Sequence, residues 1–174
     1  MAAYAGVDIG ATNIRAVIGD ESAHELGSDT RATPRGPNGI AVTEAILDSL
    51  RAACDNADVS PSSVVAAGIG SIGPLDLAEG VVENPANLPD TIDRIPLTGP
   101  VGNLIDSDRV FLHNDTNAGV IGELRFIELP AWRKCKDGVK KDWDALVLKE
   151  MKDAARVLKT GFFGILLLSW VPRR

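Results

Sequence analysis

The sequence predicts an α/β fold, and three features near its start predict that class. Two short apolar runs, 4–9 and 14–18, flank a turn of small and polar residues, which is the pattern of a β-hairpin. Residues 39–55 carry apolar side chains at helical spacing. Residues 64–69 form an unbroken apolar run that ends in glycines, which suits a strand covered on both faces.

The turn of the first hairpin carries the residue types that bind a phosphate together with magnesium. Gly10 lets backbone N–H groups approach a ligand closely, and Thr12 adds a hydroxyl. Asp8 places a carboxylate where a hydrated cation could sit. The alternative is that residues 8–13 form only a tight turn, because matches this short also arise by chance.

The elements after the hairpin are predicted from chain breaks and periodicity. Residues 23–33 supply a third, edge-like strand, and proline and glycine clusters over 34–39 end it. Asn38 is the expected N-cap of the 39–55 helix, whose apolar positions are Ile40, Ala41, Ile46, Leu47, Leu50 and Ala53. We then expect a hairpin, a short helix, a buried strand and a further helix over 75–82, 97–105, 110–112 and 116–123.

A second polar cluster stands at the end of the predicted 110–112 strand. Asn114 and Asp115 follow that strand, and Asp115 enters the next helix. A helix N-terminus favours the charged form of a carboxylate. A charged, positioned carboxylate can accept a proton from a hydroxyl, so Asp115 is a candidate general base. The alternative is that Asp115 serves only as a helix N-cap.

Together, the segments 8–12 (D-I-G-A-T) and 114–118 (N-D-T-N-A) resemble the motifs of the ROK family of sugar kinases and related repressors. Members of that family open with Asp-x-Gly-x-Thr and place a catalytic aspartate in Asn-Asp-x-Asn-Ala. The resemblance covers residues 1 to about 123. It implies the ribonuclease-H-like half-domain with a mixed sheet that sugar kinases and actin-like ATPases share. It also implies ATP-dependent phosphorylation of a hexose, above all of glucose to glucose 6-phosphate.

The resemblance implies roles for individual residues as well. Asp115 would be the catalytic base, and no residue is expected to ligate a metal directly. The sugar would contact Gly73, Asn87, Asn114 and Asp115, and ATP with Mg²⁺ would contact Asp8, Gly10, Ala11 and Thr12. Taken alone, the segment 83–89 around Asn87 is only a proline and asparagine loop.

Charge and hydropathy limit the partners and the location. The net charge of −6 argues against nucleic acid as the main partner. The longest apolar run, 161–171, is too short to span a bilayer, and no secretory signal is visible. We therefore expect a cytoplasmic protein that binds a sugar and a nucleotide, with a homodimer in its full-length relatives. Only seven residues precede Asp8, which leaves no room for the helix-turn-helix of the family's repressors.

The amino-acid usage changes abruptly near residue 123. Residues 1–123 contain 18 acidic residues, six arginines and no lysine, a net charge of −12. Residues 124–174 contain six acidic residues, seven lysines and five arginines, a net charge of +6. We predict a ROK-type N-terminal lobe over 1–123 and an atypical basic tail with an amphipathic helix over about 141–159 and an apolar end. The tail would be a frameshift, a fusion or a mis-assigned end.

Members of the family also contain motifs that residues 124–174 lack. Relatives carry a Glu-x-Gly-His sugar clamp, a cysteine-rich zinc motif, a second glycine-rich phosphate loop and an adenosine site, and this sequence contains none of them. We therefore expect a truncated kinase with little or no activity. The alternative is a non-catalytic, sugar-binding or pseudogene-type fragment of the family.

The acidic, lysine-free part predicts a halophilic protein, because carboxylates keep strong hydration in concentrated salt, where other charges are screened. We expect the melting temperature to fall steeply, and the fold to be lost, when KCl is lowered from about 3 M to about 0.1 M, because screening then weakens. Thermal melts followed by circular dichroism across this range check the expectation. A melting temperature that is indifferent to salt would contradict it.

Overall fold

The structure is a computed structural model that describes residues 2–115 and Ala118. In chain order its elements are β1 (Ala3–Ile9), β2 (Asn13–Gly19), β3 (Glu25–Ala32), α1 (Gly39–Asn56), β4 (Val64–Ser71), β5 (Leu75–Asp76), β6 (Val81–Glu83), β7 (Arg94–Pro96), α2 (Thr98–Ile105) and β8 (Val110–Asn114). Apart from Ala118, the predicted helix over 116–123 lies outside the described residues, and so does the predicted tail with its amphipathic helix.

The main sheet has five strands in the order β3-β2-β1-β4-β8. β2 pairs antiparallel with β1 and β3, so the N-terminal hairpin and the edge position of the third strand are confirmed. β4 pairs parallel with both β1 and β8. The sheet is therefore mixed, as the sequence predicts, and the carboxyl ends of β1, β4 and β8 lie along one edge of it.

The hydrophobic core lies between the main sheet and the two helices. α1 packs against β2 and β3, and α2 packs against β4 and β8. The buried side chains of this core include Val7, Ile9, Ile14, Ala67 and Ile69 from the sheet and Val42, Ile46 and Leu50 from α1. A smaller cluster on the opposite face contains Tyr4, Val17, Ala66 and Ala118. β4 is thus covered on both faces, which explains its unbroken apolar sequence.

Three of the six apolar positions predicted for α1 are fully buried, but the buried face differs from the prediction at Ile40. Ile40 was expected to face the core, but it is 51% exposed. Thr43 and Ser49 are buried instead, and their hydroxyls donate hydrogen bonds of 2.8 Å to the Pro96 carbonyl and the Asp29 carboxylate. A pattern of apolar residues cannot reveal polar side chains that are buried because they are hydrogen-bonded, so it missed Thr43 and Ser49.

A second sheet has three short strands in the order β5-β6-β7. β5 and β6 form the predicted hairpin, and α2 and β8 confirm the predicted helix and strand that follow. β7 was not predicted, because three residues with one buried side chain, Ile95, are too few to form a periodic pattern. β7 pairs with β6 and contacts α1, so it joins the second sheet to the core.

The start of α1 packs closely against β7. The Asn38 side chain accepts a hydrogen bond from the Ala41 N–H at 3.3 Å, which confirms the predicted N-cap. Gly39 follows at once and is buried against β7. A Cβ atom on Gly39 would overlap the Arg94 carbonyl. Glycine is therefore required by close backbone approach, not by the helix itself.

Gly39→Ala should destabilise the fold, although alanine is the better helix former. The added methyl group would meet the backbone of β7, which cannot rotate away as a side chain could. We expect the free energy of unfolding to fall by about 1–3 kcal/mol, as measured by urea denaturation.

Gly99→Ala is the matched control, because a Cβ atom on Gly99 in α2 would have no other atom within 4 Å. That variant should be neutral, or stabilising by about 0.5 kcal/mol. Equal destabilisation by the two substitutions would contradict the overlap argument.

Candidate functional site

Most of the predicted site residues meet along the carboxyl edge of the main sheet, which comprises residues 8–13, 70–74 and 113–115. The register aligns Asp8 of β1 with Gly70 of β4, and Gly70 with His113 of β8. Neighbouring strands lie about 4.8 Å apart, so the ends of β1 and β8 are separated by about 10 Å. In open α/β sheets, ligands bind at this kind of edge.

The turn between β1 and β2 projects from the carboxyl edge. The Gly10 N–H donates to the Asn13 carbonyl at 2.9 Å, which closes the turn. Ala11 is half-exposed and Thr12 is exposed. Within the described residues, no backbone carbonyl accepts a hydrogen bond from the N–H groups of Ala11 and Thr12. These two groups can therefore donate to an anion.

Asp8 is half-buried, and its environment disfavours the negatively charged form of its carboxyl group. Burial, together with the nearby charge of Asp115, raises the pKa of Asp8 from 3.8 to about 6, while Arg15 acts in the opposite direction. Arg15 lies opposite Asp8 in the hairpin and forms an ion pair with Glu25 at 3.4 Å. The charge of Asp115 thus acts on Asp8 across the carboxyl edge, although 106 residues of chain separate them in the printed sequence.

The residues predicted to bind the sugar fall into two groups. Asn114 ends β8, and Gly73 lies in the loop after β4, which is tied to the edge because the Ile72 N–H donates to the Ile9 carbonyl at 3.2 Å. Asn87 is exposed in a turn that follows β6, closed by a 3.0 Å bond from the Leu88 N–H to the Pro85 carbonyl. Asn87 therefore lies outside the segments 8–13, 70–74 and 113–115 that form the carboxyl edge.

Two residues at the edge were not singled out individually from the sequence, although Ser71 belongs to the 70–74 loop that was expected near the sugar. Arg15 could have been found, because a hairpin that turns at 10–13 places residue 15 opposite Asp8. Ser71 could not, because its neighbours come from the parallel pairing, which aligns it between Ile9 and Asn114. The Ser71 hydroxyl is fully buried and has no hydrogen-bond partner within the part of the chain that the structure describes.

Two further properties concern metals and membranes. Within residues 2–115 and Ala118, no group of three or more histidine, cysteine, aspartate or glutamate side chains could hold a metal ion. No helix in that part of the chain is long and apolar enough to cross a membrane. The carboxyl edge therefore offers single carboxylates, Asp8 and Asp115, beside the backbone N–H groups of a turn.

Comparison with known families identifies the chain. The model of the ROK family matches residues 4–129. The chain belongs to the ROK family. Among solved structures, the ROK hexokinase from Thermus thermophilus matches with a TM-score of 0.59 at 31% identity, covering 70% of this chain and 38% of that one. The ROK family glucokinase from Streptomyces griseus, in complex with glucose and AMPPNP, matches with a TM-score of 0.58 at 32% identity, covering 71% and 36%.

These matches confirm the predicted α/β class, that of the sugar kinases and actin-like ATPases. Two curated relatives extend the comparison. The glucokinase of Pyrobaculum calidifontis is 36% identical over 126 residues, which are 72% of this chain and 36% of the relative. The glucokinase of Streptomyces coelicolor is 33% identical over 121 residues, 70% of this chain and 35% of the relative. This ROK chain therefore spans about a third of the length of the curated relatives it matches.

Asp8→Asn should stabilise the protein near pH 7.5 and have little effect near pH 4. The native pKa of Asp8, about 6, lies above the unfolded value of 3.8, so between these values the folded state holds a proton that the unfolded chain has lost. Stability therefore declines as the pH rises from about 4 to about 6, and the charged form carries the full penalty above that range.

The asparagine variant lacks this penalty, and we expect it to gain about 1–2 kcal/mol near pH 7.5, after allowance for partial exposure of the carboxylate. Denaturant unfolding of both proteins at the two pH values, in the same salt, provides the measurement. An equal gain at both pH values, or a loss near pH 7.5, would be the opposite result.

Proposed function

We propose that this ROK chain contributes to the ATP-dependent phosphorylation of a hexose, with glucose as acceptor and glucose 6-phosphate as product. The observation that carries the proposal is the parallel register of β1, β4 and β8, which brings Asp8 and Asn114–Asp115 to one edge beside the β1–β2 turn. Relatives at 36% and 33% identity, both glucokinases, support the choice of substrate.

In this proposal Asp115 is the general base. It directly follows β8, is half-buried, and lies close enough to Asp8 for its charge to raise the pKa of Asp8. A group bound at the β1–β2 turn would therefore lie near this carboxylate. Asp115 would accept the proton of the attacking sugar hydroxyl, a contribution that is typically about 10²- to 10⁴-fold in rate.

The β1–β2 turn would bind the terminal phosphate of ATP. The N–H groups of Ala11 and Thr12 and the Thr12 hydroxyl supply donors, and Gly10 leaves the backbone open to close approach. Asp8 fits a role beside Mg²⁺, because carboxylate oxygens suit this ion and a cation would relieve the unfavourable charge of Asp8 near Asp115. Bound with ATP, Mg²⁺ would neutralise charge on the phosphoryl group being transferred.

The sugar would lie against the part of the carboxyl edge formed by β4 and β8. Asn114 would hydrogen-bond a hydroxyl of the sugar next to the one that Asp115 deprotonates. The loop with Gly73 would form the floor of the site, since it is tied to β1 through Ile72. Asn87 would complete the sugar contacts from the turn after β6, which is connected to that loop by a 2.9 Å bond from the Glu83 N–H to the Pro74 carbonyl.

A second candidate function follows from the exposure of the proposed phosphate site, because Thr12 of the β1–β2 turn is exposed. Phosphoryl transfer to a sugar competes with transfer to water, so kinases of this kind enclose their substrates. We propose that this chain supplies one wall of the site and that it alone turns over little substrate. In that case it acts as a non-catalytic, sugar-binding member of the family.

The setting of the protein is part of the proposal. We place it in the cytoplasm of a salt-adapted cell, because residues 1–123 have a net charge of −12 and contain no lysine. The division into a kinase lobe over 1–123 and a separate basic tail over 124–174 remains a proposal that is based on this change in composition. Besides sugar and nucleotide, the proposed partner is a second subunit in a homodimer of the full-length relatives.

Two measurements on the 174-residue chain in about 3 M KCl test the function. A coupled ADP-release assay with Mg²⁺, ATP and glucose measures turnover, and isothermal titration with glucose measures binding. We expect glucose to bind and turnover to be slight. Any turnover should disappear in Asp115→Ala and persist in Asp108→Asn, a control at an exposed aspartate before the other end of β8.

Each outcome distinguishes the candidates. Turnover that depends on Asp115 means that the chain is an active kinase. Glucose binding without turnover supports the non-catalytic alternative. A folded chain that neither binds glucose nor releases ADP would overturn both, and turnover that survives Asp115→Ala would remove Asp115 from the role of base.

A further inference from the structure

We propose that Thr33 is a positioning residue for the phosphate-binding turn, an inference that rests on the proposed function. Thr33 directly follows β3, lies 20 residues or more from the turn in sequence, and was not singled out by any motif. Its hydroxyl donates to the Gly10 carbonyl at 2.7 Å, and its backbone N–H donates to the Thr12 carbonyl at 2.9 Å. One residue therefore holds two carbonyls of the same turn.

The planarity of the peptide bond converts these two contacts into an orientation for the donors. In a trans peptide the N–H points opposite to the C=O of the same unit. Because the Gly10 carbonyl points to Thr33, the Ala11 N–H must point away from Thr33. The Thr33 N–H holds the Thr12 carbonyl, so the Asn13 N–H also points away from β3. Of the proposed phosphate donors, the Ala11 N–H is therefore the one whose direction Thr33 sets.

The position of Thr33 strengthens its two hydrogen bonds to the turn. The β2–β3 register pairs Asn13 with Ala32, so the residue after Ala32 comes level with the turn. Thr33 is only 5% exposed, so water does not compete well for its hydroxyl. Ala11 and Thr12, in contrast, are at least partly exposed. A buried anchor beneath an accessible turn is the arrangement that pre-organises donors for a ligand, because the turn then loses little freedom on binding.

The experiment compares Thr33→Val, which keeps the shape of the side chain but removes the hydroxyl, with Thr33→Ser, which keeps the hydroxyl. Thr43→Val is the matched control: Thr43 is also 5% exposed and donates to two carbonyls, but from α1. Amide hydrogen exchange by NMR reports on the turn without ligand. Titration of the ¹⁵N-labelled 174-residue chain with Mg·ATP, in high salt, reports on binding.

We expect Thr33→Val to lower the exchange protection of the Gly10 and Thr33 N–H groups and to weaken Mg·ATP binding about five- to tenfold, which is the loss of about one hydrogen bond. Thr33→Ser, which keeps the hydroxyl, should retain the exchange protection and the Mg·ATP affinity of the wild-type chain. Thr43→Val should leave the exchange protection of the turn and the Mg·ATP affinity unchanged, even if it lowers the melting temperature as much as Thr33→Val does. This control therefore distinguishes a specific effect on the turn from a general loss of stability.

The outcomes separate this inference from the proposed function. Unchanged protection and unchanged Mg·ATP affinity in Thr33→Val would overturn the role of Thr33 and leave the proposed function intact. Absence of Mg·ATP binding by the folded wild-type chain would overturn phosphate binding at the turn, and the exchange data would still decide whether Thr33 holds it. Loss of affinity that Thr33→Ser does not restore would also count against the hydroxyl.

Discussion

The parallel pairing of β4 with β1 and β8 is the constraint on which the described structure depends. β4 is apolar along its length because both of its faces are covered, and burial of these side chains stabilises the centre of the sheet. The register of the two pairs then determines which residues meet at the carboxyl edge. Asp8 and Asp115 belong to opposite ends of the described chain, and only this pairing makes them neighbours. The proposed chemistry is thus a consequence of where the core places its strands.

The carboxyl edge is less favourable energetically than the core that supports it. The pKa of Asp8 is raised to about 6, chiefly by burial, and the Ser71 hydroxyl is buried without a hydrogen-bond partner among the described residues. Each feature costs stability that a purely structural sheet end would avoid. Such local costs are typical of functional sites, because groups held ready for a ligand are not satisfied in its absence. The well-packed face beneath α1 offsets them.

Much of the fold was predictable, for reasons that particular elements make clear. The hairpin, α1 and β4 were correctly predicted because each one has a local signal: a turn between apolar runs, helical spacing with an Asn38 cap, and an unbroken apolar run. β7 was not predicted, and the buried face of α1 was predicted only in part. Both depend on partners distant in sequence, since Gly39 packs on Arg94 and Thr43 bonds to Pro96. Such contacts leave no periodic trace in the sequence.

By itself, the sequence determined the residue types of the candidate site, their order and their placement at strand ends, because glycine, aspartate and asparagine have distinct backbone and charge properties. It also determined the membership of the ROK family, through motifs short enough to be read directly. Only the tertiary structure decided which of these residues lie close together. It joined Asp8 to Asp115, left Asn87 on a separate turn, and brought in Arg15, Ser71 and Thr33. The physical reason is that strand register and hydrogen bonds across a sheet are long-range properties, set by the packing of the whole core and not by any local segment.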